Sequence, residues 1–365
     1  MVEFLTVEMI DELVTGAAFL GTGGGGDPYI GALLCREALA QHGPVRLMQL
    51  DELSDHDAVY TAAAMGAPTI LIEKLLSVED ADGAVRALER HMGRTATAII
   101  AAEIGGINAT LPIAYAAMRG LPIIDGDGMG RAFPALNMTT YNVAGVGCAP
   151  LVLSDEFGDY SLVVARTGLR AEQLARSLVV EFGASATLSC YPMTGAECRR
   201  AAVGGSISAA LMIGTAIRGS SDETAEPIDR LLAVLDNHPL YGGARRLFDG
   251  KITGLRRDTS RGWVLGRCEI ESLDGQRNAV VAFQNENLSV EIDGVVRAIV
   301  PDLITIVDRE TAQPIPTEAL RYGQRVAVIG CLAPAALRTP EALVVMGPAA
   351  FDLPGNYTPI DQLDG

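Results

Sequence analysis

The sequence predicts an α/β protein in two parts. A three-layer N-terminal α/β domain with a largely parallel sheet spans residues 1–240, and a C-terminal β-rich, barrel-like domain spans 241–365. Three observations predict it. From Thr6 to about residue 240, apolar runs rich in Val, Ile and Ala alternate with longer stretches of helical period, the pattern of strands joined by crossover helices. Beyond His238-Pro239, short strand-like runs follow one another directly, with turn residues at 258–262, Asp274-Gly275 and Asp293-Gly294 between them. The chain is also long: 365 residues, 49% of them hydrophobic, suit two buried cores better than one.

Taken in order, Thr6 reads as an N-cap ahead of an apolar face formed by Val7, Ile10, Leu13 and Val14, so a helix is predicted over 7–14. Asp27-Pro28 reads as an N-cap followed by proline at the first position of a helix over 28–41. Further helices are predicted at 78–91, 109–119, 171–182, 206–218 and 223–236. Strands fall between them at 45–50, 58–64, 96–102, 122–125, 151–153, 161–165 and 186–190. The uncharged run 201–217 approaches the length of a membrane span, but Gly204, Gly205, Ser206, Ser208 and Gly214 thin its apolar content. A buried helix starting near Ser206 is the better reading. In the β-rich part, strands are predicted at 251–255, 263–271, 279–285, 288–292 and 295–300. A strand at 325–329 and the run 342–346 return to one domain or the other.

Charge narrows the partners. Twenty-eight basic against 45 acidic side chains give a net charge of -17, which repels phosphate backbones and anionic membrane surfaces, so neither nucleic acid nor a membrane is expected as a partner. Glu3, Glu8, Asp11 and Glu12 stand where a signal peptide needs basic and then apolar residues, and a cytoplasmic protein is expected. The six cysteines show no C-x-x-C, which points to reduced, buried thiols.

The chemistry gathers in three places. GTGGGGDP at 21–28 holds five glycines in six positions. It matches G-x-G-x-x-G through Gly21, Gly23 and Gly26, but helical sequence precedes it where a dinucleotide site needs a strand, and no Walker loop exists, so no nucleotide is expected. Gly23, Gly24, Gly25 and Gly26, closed by Asp27, can aim several N–H groups into one concavity suited to an oxyanion, a carboxylate or a thiolate; the alternative is a tight turn that binds nothing. At the ends of two apolar strands stand Glu103 with Asn108, and Asp125 with Asp127 and Arg131, a placement that puts both groups in one crevice. Asp125 or Asn108 could instead cap a helix, and Glu103 with Arg131 could form a surface ion pair. The third place is Asn285, Glu286 and Asn287, either a solvated hairpin loop or polar groups offered to a cleft. A divalent ion could sit between Glu103, Asp125 and Asp127, whereas His42, His56, His91 and His238 form no metal motif.

The stretches GTGGGGDPY at 21–29, EIGGINA at 103–109, DGDGMGRAFP at 125–134, FQNENL at 283–288 and VPDLITIVD at 300–308 together resemble the S-methyl thiohydantoin desulfurase family. The resemblance spans nearly the whole chain; near Ala350-Phe351-Asp352 it departs, lacking a further glycine beside Phe. It implies an α/β domain followed by a β-rich one, a small cyclic thioureide or ureide substrate, and departure of sulfur as a thiol. It also leaves room for a hydantoinase- or oxoprolinase-type partner, and a homo-oligomer is expected. In physical terms, water attacks the ring carbon bearing the S-methyl group and one of Glu103, Asp125 and Asp127 takes its proton. The glycine N–H groups stabilise developing charge, Arg131 holds a substrate carboxylate or carbonyl, and Asn285 and Asn287 bind the ring edge. The rival readings are a non-catalytic or regulatory partner of a hydantoinase-like enzyme, a cyclic amidohydrolase and a nucleotide-dependent enzyme.

Overall fold

A computed structural model describes residues 2–26, 28–66, 70, 74, 77–219, 224–260 and 263–363. Asp27 and the first predicted residue of the 223–236 helix lie outside the described residues.

The first sheet runs in the order Phe4–Leu5, Val45–Met48, Ile123–Ile124, Ala98–Ile100, Ala58–Thr61 and Met193–Thr194. Its four central strands are parallel, with Leu47 beside Ile123, Ile99 beside Ile123 and Val59 beside Ala98. Ala98–Ile100 and Ile123–Ile124 are buried on both faces, which explains why they read as unbroken apolar runs, whereas Val45–Met48 exposes Arg46. The predicted strand over 58–64 serves two sheets. The chain leaves the first at Ala62 and enters, as Ala63–Gly66, a second sheet with Ser185–Ser189, Leu151–Ser154 and Tyr160–Val163. That sheet is antiparallel throughout, and its Leu151–Ser154 and Tyr160–Val163 strands are joined by a hairpin too short for a crossover helix.

The predicted helix over 7–14 is a 3₁₀ turn, Val7–Met9, followed by an α-helix, Ile10–Leu20, that runs directly into the glycine loop. A helix and not a strand leads directly into Gly21, so the G-x-G-x-x-G match lacks its dinucleotide context. This helix lies against Ser206–Arg218 in backbone contact: a Cβ on Gly16 would fall 1.8 Å from the Ala210 carbonyl oxygen, and one on Gly214 would fall 1.7 Å from that of Glu12. Only glycine permits the approach. Among the described residues no helix is long and apolar enough to cross a membrane; the run 201–217 divides into a short strand, Val203–Gly204, and the buried Ser206–Arg218 helix.

The C-terminal part is a seven-stranded antiparallel sheet in the order Val295–Ile299, Glu286–Ile292, Asn278–Gln284, Trp263–Glu271, Arg245–Ser260, Arg325–Cys331 and Leu303–Asp308. It curls into a half-barrel, so that Asn287 Nδ2, near one edge, donates to the Ile304 carbonyl at the other, 3.0 Å away. Arg325–Cys331 belongs to this sheet, and the run 342–346 is helical, within Pro340–Met346 capped by Thr339. The two parts share a hydrophobic core. Leu303, Val307 and Ile329 from the half-barrel pack in one buried cluster with Leu13, Leu20 and Ile207, and Thr305 Oγ1 donates to the Phe19 carbonyl at 2.8 Å.

Candidate active site

The glycine loop lies where the parallel sheet meets the half-barrel. Gly23, Gly25 and Gly26 take φ values of 92°, 85° and 80°, which side chains disfavour. The carbonyls of this loop are engaged: Asn287 N–H donates to Thr22 O at 2.8 Å, Thr317 N–H to Gly23 O at 2.9 Å and Ile107 N–H to Gly25 O at 2.8 Å. Gly24 N–H closes the turn onto Gly21 O at 2.8 Å. The loop therefore stitches the half-barrel to the start of the Ile107–Arg119 helix, and the Gly24 N–H is engaged within it. Two glycine segments interlock here, for a Cβ on Gly106 would fall 1.9 Å from Gly25 O.

Beside the loop is a cavity of about 240 Å³, walled by Gly24, Gly25 and Gly26, by Ala63, Ala64, Met65 and Gly66, by Glu103 and Asn108, and by Phe133. The half-barrel closes it with Asn285, Glu286, Thr317 and Glu318, and Arg176 stands at its rim. Arg176 is tied to Glu172 at 2.7 Å and donates to the Pro134 carbonyl at 3.1 Å.

The carboxyls singled out in the sequence part company. Glu103, beyond the Ala98–Ile100 strand, is 8% exposed. Asn108 orients it: Nδ2 donates to Glu103 Oε1 at 2.6 Å and to the Ala64 carbonyl at 3.2 Å, while Oδ1 accepts the Ala64 N–H at 2.7 Å. Glu103 Oε2 has no hydrogen-bond partner among the described residues. Burial, reinforced by the charge of Asp127 and opposed by the Asn108 amide, pushes this carboxyl up to about 7. Asp127 is fully buried behind it, with Oδ2 accepting the N–H groups of Met129 at 3.0 Å and Gly130 at 2.8 Å. Burial pushes it up to about 7 as well, against those two N–H groups. Asp125 turns the other way. Its Oδ1 accepts the N–H groups of Ile207 at 3.0 Å and Ser208 at 3.1 Å, and its Oδ2 accepts the Ser208 hydroxyl at 2.5 Å. It holds the N-terminus of the Ser206–Arg218 helix, where a carboxylate satisfies otherwise orphaned N–H groups. Glu103, Asp125 and Asp127 thus do not converge, and among the described residues no group of three or more His, Cys, Asp or Glu side chains is arranged to hold a metal ion.

Arg131 is also turned away from the cavity. Fully buried, it donates from Nε to Ala132 O, from one terminal nitrogen to Pro301 O and Asp302 O, and from the other to Thr22 Oγ1 and Asn287 O, at 2.7 to 3.1 Å. Its five donors are filled, so it pins the glycine loop to the half-barrel. Asn287 sits with it, outside the cavity lining. Asn285 lines the cavity in a left-handed turn, φ 57°, with Oδ1 accepting the Val264 N–H at 2.9 Å. That turn drives Glu286 inward, and at 3% exposed it is far from the solvated loop residue one reading of the sequence allowed. Arg176, Thr317 and Glu318 are wall residues that sequence reasoning missed; nothing local marks them, since they reach the cavity only through the packing of the half-barrel and the Gly168–Glu181 helix.

Two family models match head to tail, the S-Me-THD-like N-terminal domain over residues 8–165 and the S-Me-THD-like C-terminal domain over 166–360. The crystal structure of a protein from Chromobacterium violaceum is similar over 99% of this chain and 100% of that one, with 27% identity and a TM-score of 0.81. No curated protein matches the chain. With its motifs in order and both models matched across the shared core, the chain belongs to the S-methyl thiohydantoin desulfurase-like family.

Proposed function

We propose that this protein hydrolyses the carbon–sulfur bond of an S-methyl thiohydantoin, or of a closely related cyclic thioureide, with Glu103 as the general base. The observation that carries the reading is Glu103 itself: a buried carboxyl on the wall of a small cavity, oriented through one oxygen by Asn108, with Oε2 lacking a hydrogen-bond partner among the described residues, and with burial moving its titration up to about 7 against the Asn108 amide and the Phe133 N–H. A base of that strength is ionised and still basic near neutrality, where general-base catalysis works best. Glu103 takes a proton from water as the oxygen bonds to the ring carbon carrying the S-methyl group. The carbon–sulfur bond then breaks, the proton passes from Glu103 to the departing thiolate, and a hydantoin and methanethiol remain.

Incubation of the purified chain with S-methyl thiohydantoins, following free thiol with a colorimetric reagent and the ring by chromatography, tests the reading. Thiol and hydantoin are expected in equal amounts. Glu103→Gln, which keeps the Asn108 hydrogen bond, is expected to lower kcat by roughly a hundredfold or more. Ring opening without thiol would make the protein a cyclic amidohydrolase, and saturable binding without either product would make it a ligand-binding partner of another enzyme.

A further inference from the structure

Glu286 has no role in the step just described, yet it lines the same cavity. It sits on the Glu286–Ile292 strand, 3% exposed, and its Oε2 has no hydrogen-bond partner among the described residues. Room for it is made by a missing side chain: a Cβ on Gly24 would fall 2.1 Å from Glu286 Oε1 and 2.6 Å from its Cδ. Arg131 is near enough to act on it electrostatically, but that guanidinium gives all five of its hydrogen bonds to other oxygens. The charged groups facing Glu286 are otherwise two acids, Glu103 from across the cavity and Glu318 from the Thr317–Ala319 turn. Asp127 acts on Glu103, and Arg176 lines the same cavity.

Resting on the reaction proposed above, we infer that Glu286 is a second catalytic group, a neutral carboxylic acid that donates its proton to the ring nitrogen of the substrate. When water adds to the carbon–nitrogen double bond, the electron pair of that bond moves onto nitrogen. A positioned acid there prevents full negative charge from developing. Glu286 gives its proton to the nitrogen while Glu103 takes one from the water. As the carbon–sulfur bond breaks, the hydroxyl of the tetrahedral intermediate returns a proton to Glu286 and Glu103 protonates the thiolate, so both carboxyls end as they began. Burial first, then the Glu103 charge, raises Glu286 well above the ordinary carboxylate range, against the opposing charge of Arg131. Two carboxyls with separated titrations are the usual arrangement for paired acid and base work.

The test is the pH profile of thiol release. The wild type is expected to show a bell, its acidic limb from Glu103 and its alkaline limb from Glu286. Glu286→Gln should lower kcat by about a hundredfold or more, and the alkaline limb should vanish because an amide does not titrate, while the acidic limb stays. A variant with wild-type kcat, or one that retains the alkaline limb, overturns the inference. Infrared spectra of wild type and Glu286→Gln with isotope-labelled glutamate give an independent readout that needs no turnover. At about pH 8.5, where Glu103 is ionised, a protonated glutamic acid band should persist in the wild type and be lost in Glu286→Gln; its absence from the wild type, or its survival in the variant, overturns the inference even if thiol release is confirmed. If no thiol is released from any S-methyl thiohydantoin, the reaction reading fails, and the same band still decides whether Glu286 is a neutral acid.

Discussion

Gly24→Ala turns the packing of the glycine loop into a measurement of Glu286. Unlike Gly23, Gly25 and Gly26, Gly24 is not in the positive-φ region, so alanine fits its backbone and the perturbation is the methyl group alone. That methyl would lie 2.1 Å from Glu286 Oε1 and 2.6 Å from both Cδ and Cγ, distances no real contact tolerates, and all three atoms belong to one side chain. The carboxyl must therefore leave its place. Overpacking of this kind costs about 1–3 kcal/mol, a loss of a few degrees in Tm for a chain of this size, and the fold should survive. Activity should fall much further, by about a hundredfold or more, equivalent to roughly 3 kcal/mol of transition-state stabilisation. The assay is thiol release alongside thermal unfolding for wild type, Gly24→Ala, Glu286→Ala and the double variant. If Gly24→Ala acts through Glu286, its effect on kcat should nearly disappear in the Glu286→Ala background, because there is no carboxyl left to displace. Equal fold-losses in both backgrounds, or undiminished activity in the single variant, would refute the reasoning.

Two further outcomes follow from the same geometry. Asp125→Ala should lower stability by about 2–4 kcal/mol, since it removes a helix cap and strands a buried donor at Ile207 and partly buried ones at Ser208 and Gln49, while kcat per folded molecule stays near wild type; a large loss of kcat in correctly folded protein would return Asp125 to the catalytic group. The stability of wild type relative to Glu103→Gln should depend on pH. Because the folded carboxyl titrates at about 7, above its unfolded value, the folded state holds the extra proton, and the wild type loses stability as pH rises from about 4.5 to 7, by an amount on the order of a few kcal/mol. Urea unfolding of both proteins across that range checks it, and a difference that does not change with pH contradicts a raised Glu103.

Much of the fold was legible because its signals are local. The Ser206–Arg218 helix and the Trp263–Glu271 strand begin and end where the sequence places them, since an apolar period and its flanking breakers lie within the element itself. The Gly195–Ala201 helix was missed although Thr194 and Glu197 form a capping box that announces it. The split of 58–64 between two sheets was not legible, because Ala58 through Ala64 is buried throughout and apolar but for Thr61, and which neighbour each half pairs with depends on strands far along the chain.

The candidate site divides the same way. Residue types and spacing named Glu103 and Asp127 as acids beside glycines and Glu286 within a polar run between two strands, and the net charge set the expectation against nucleic acid and membrane partners. Only the tertiary structure separates Asp125 from Asp127, two residues apart in one glycine-rich turn, because Asp125 is claimed by backbone N–H groups more than eighty positions later in the chain, in the Ser206–Arg218 helix. Likewise only the tertiary structure withdraws Arg131, four of whose five hydrogen bonds go to carbonyls of the half-barrel and a hydroxyl of the glycine loop. A charged side chain's role is set by which partners desolvate or satisfy it. Those partners are nonlocal here, whereas the period, the caps and the turns that shape the elements are written within a few residues of one another.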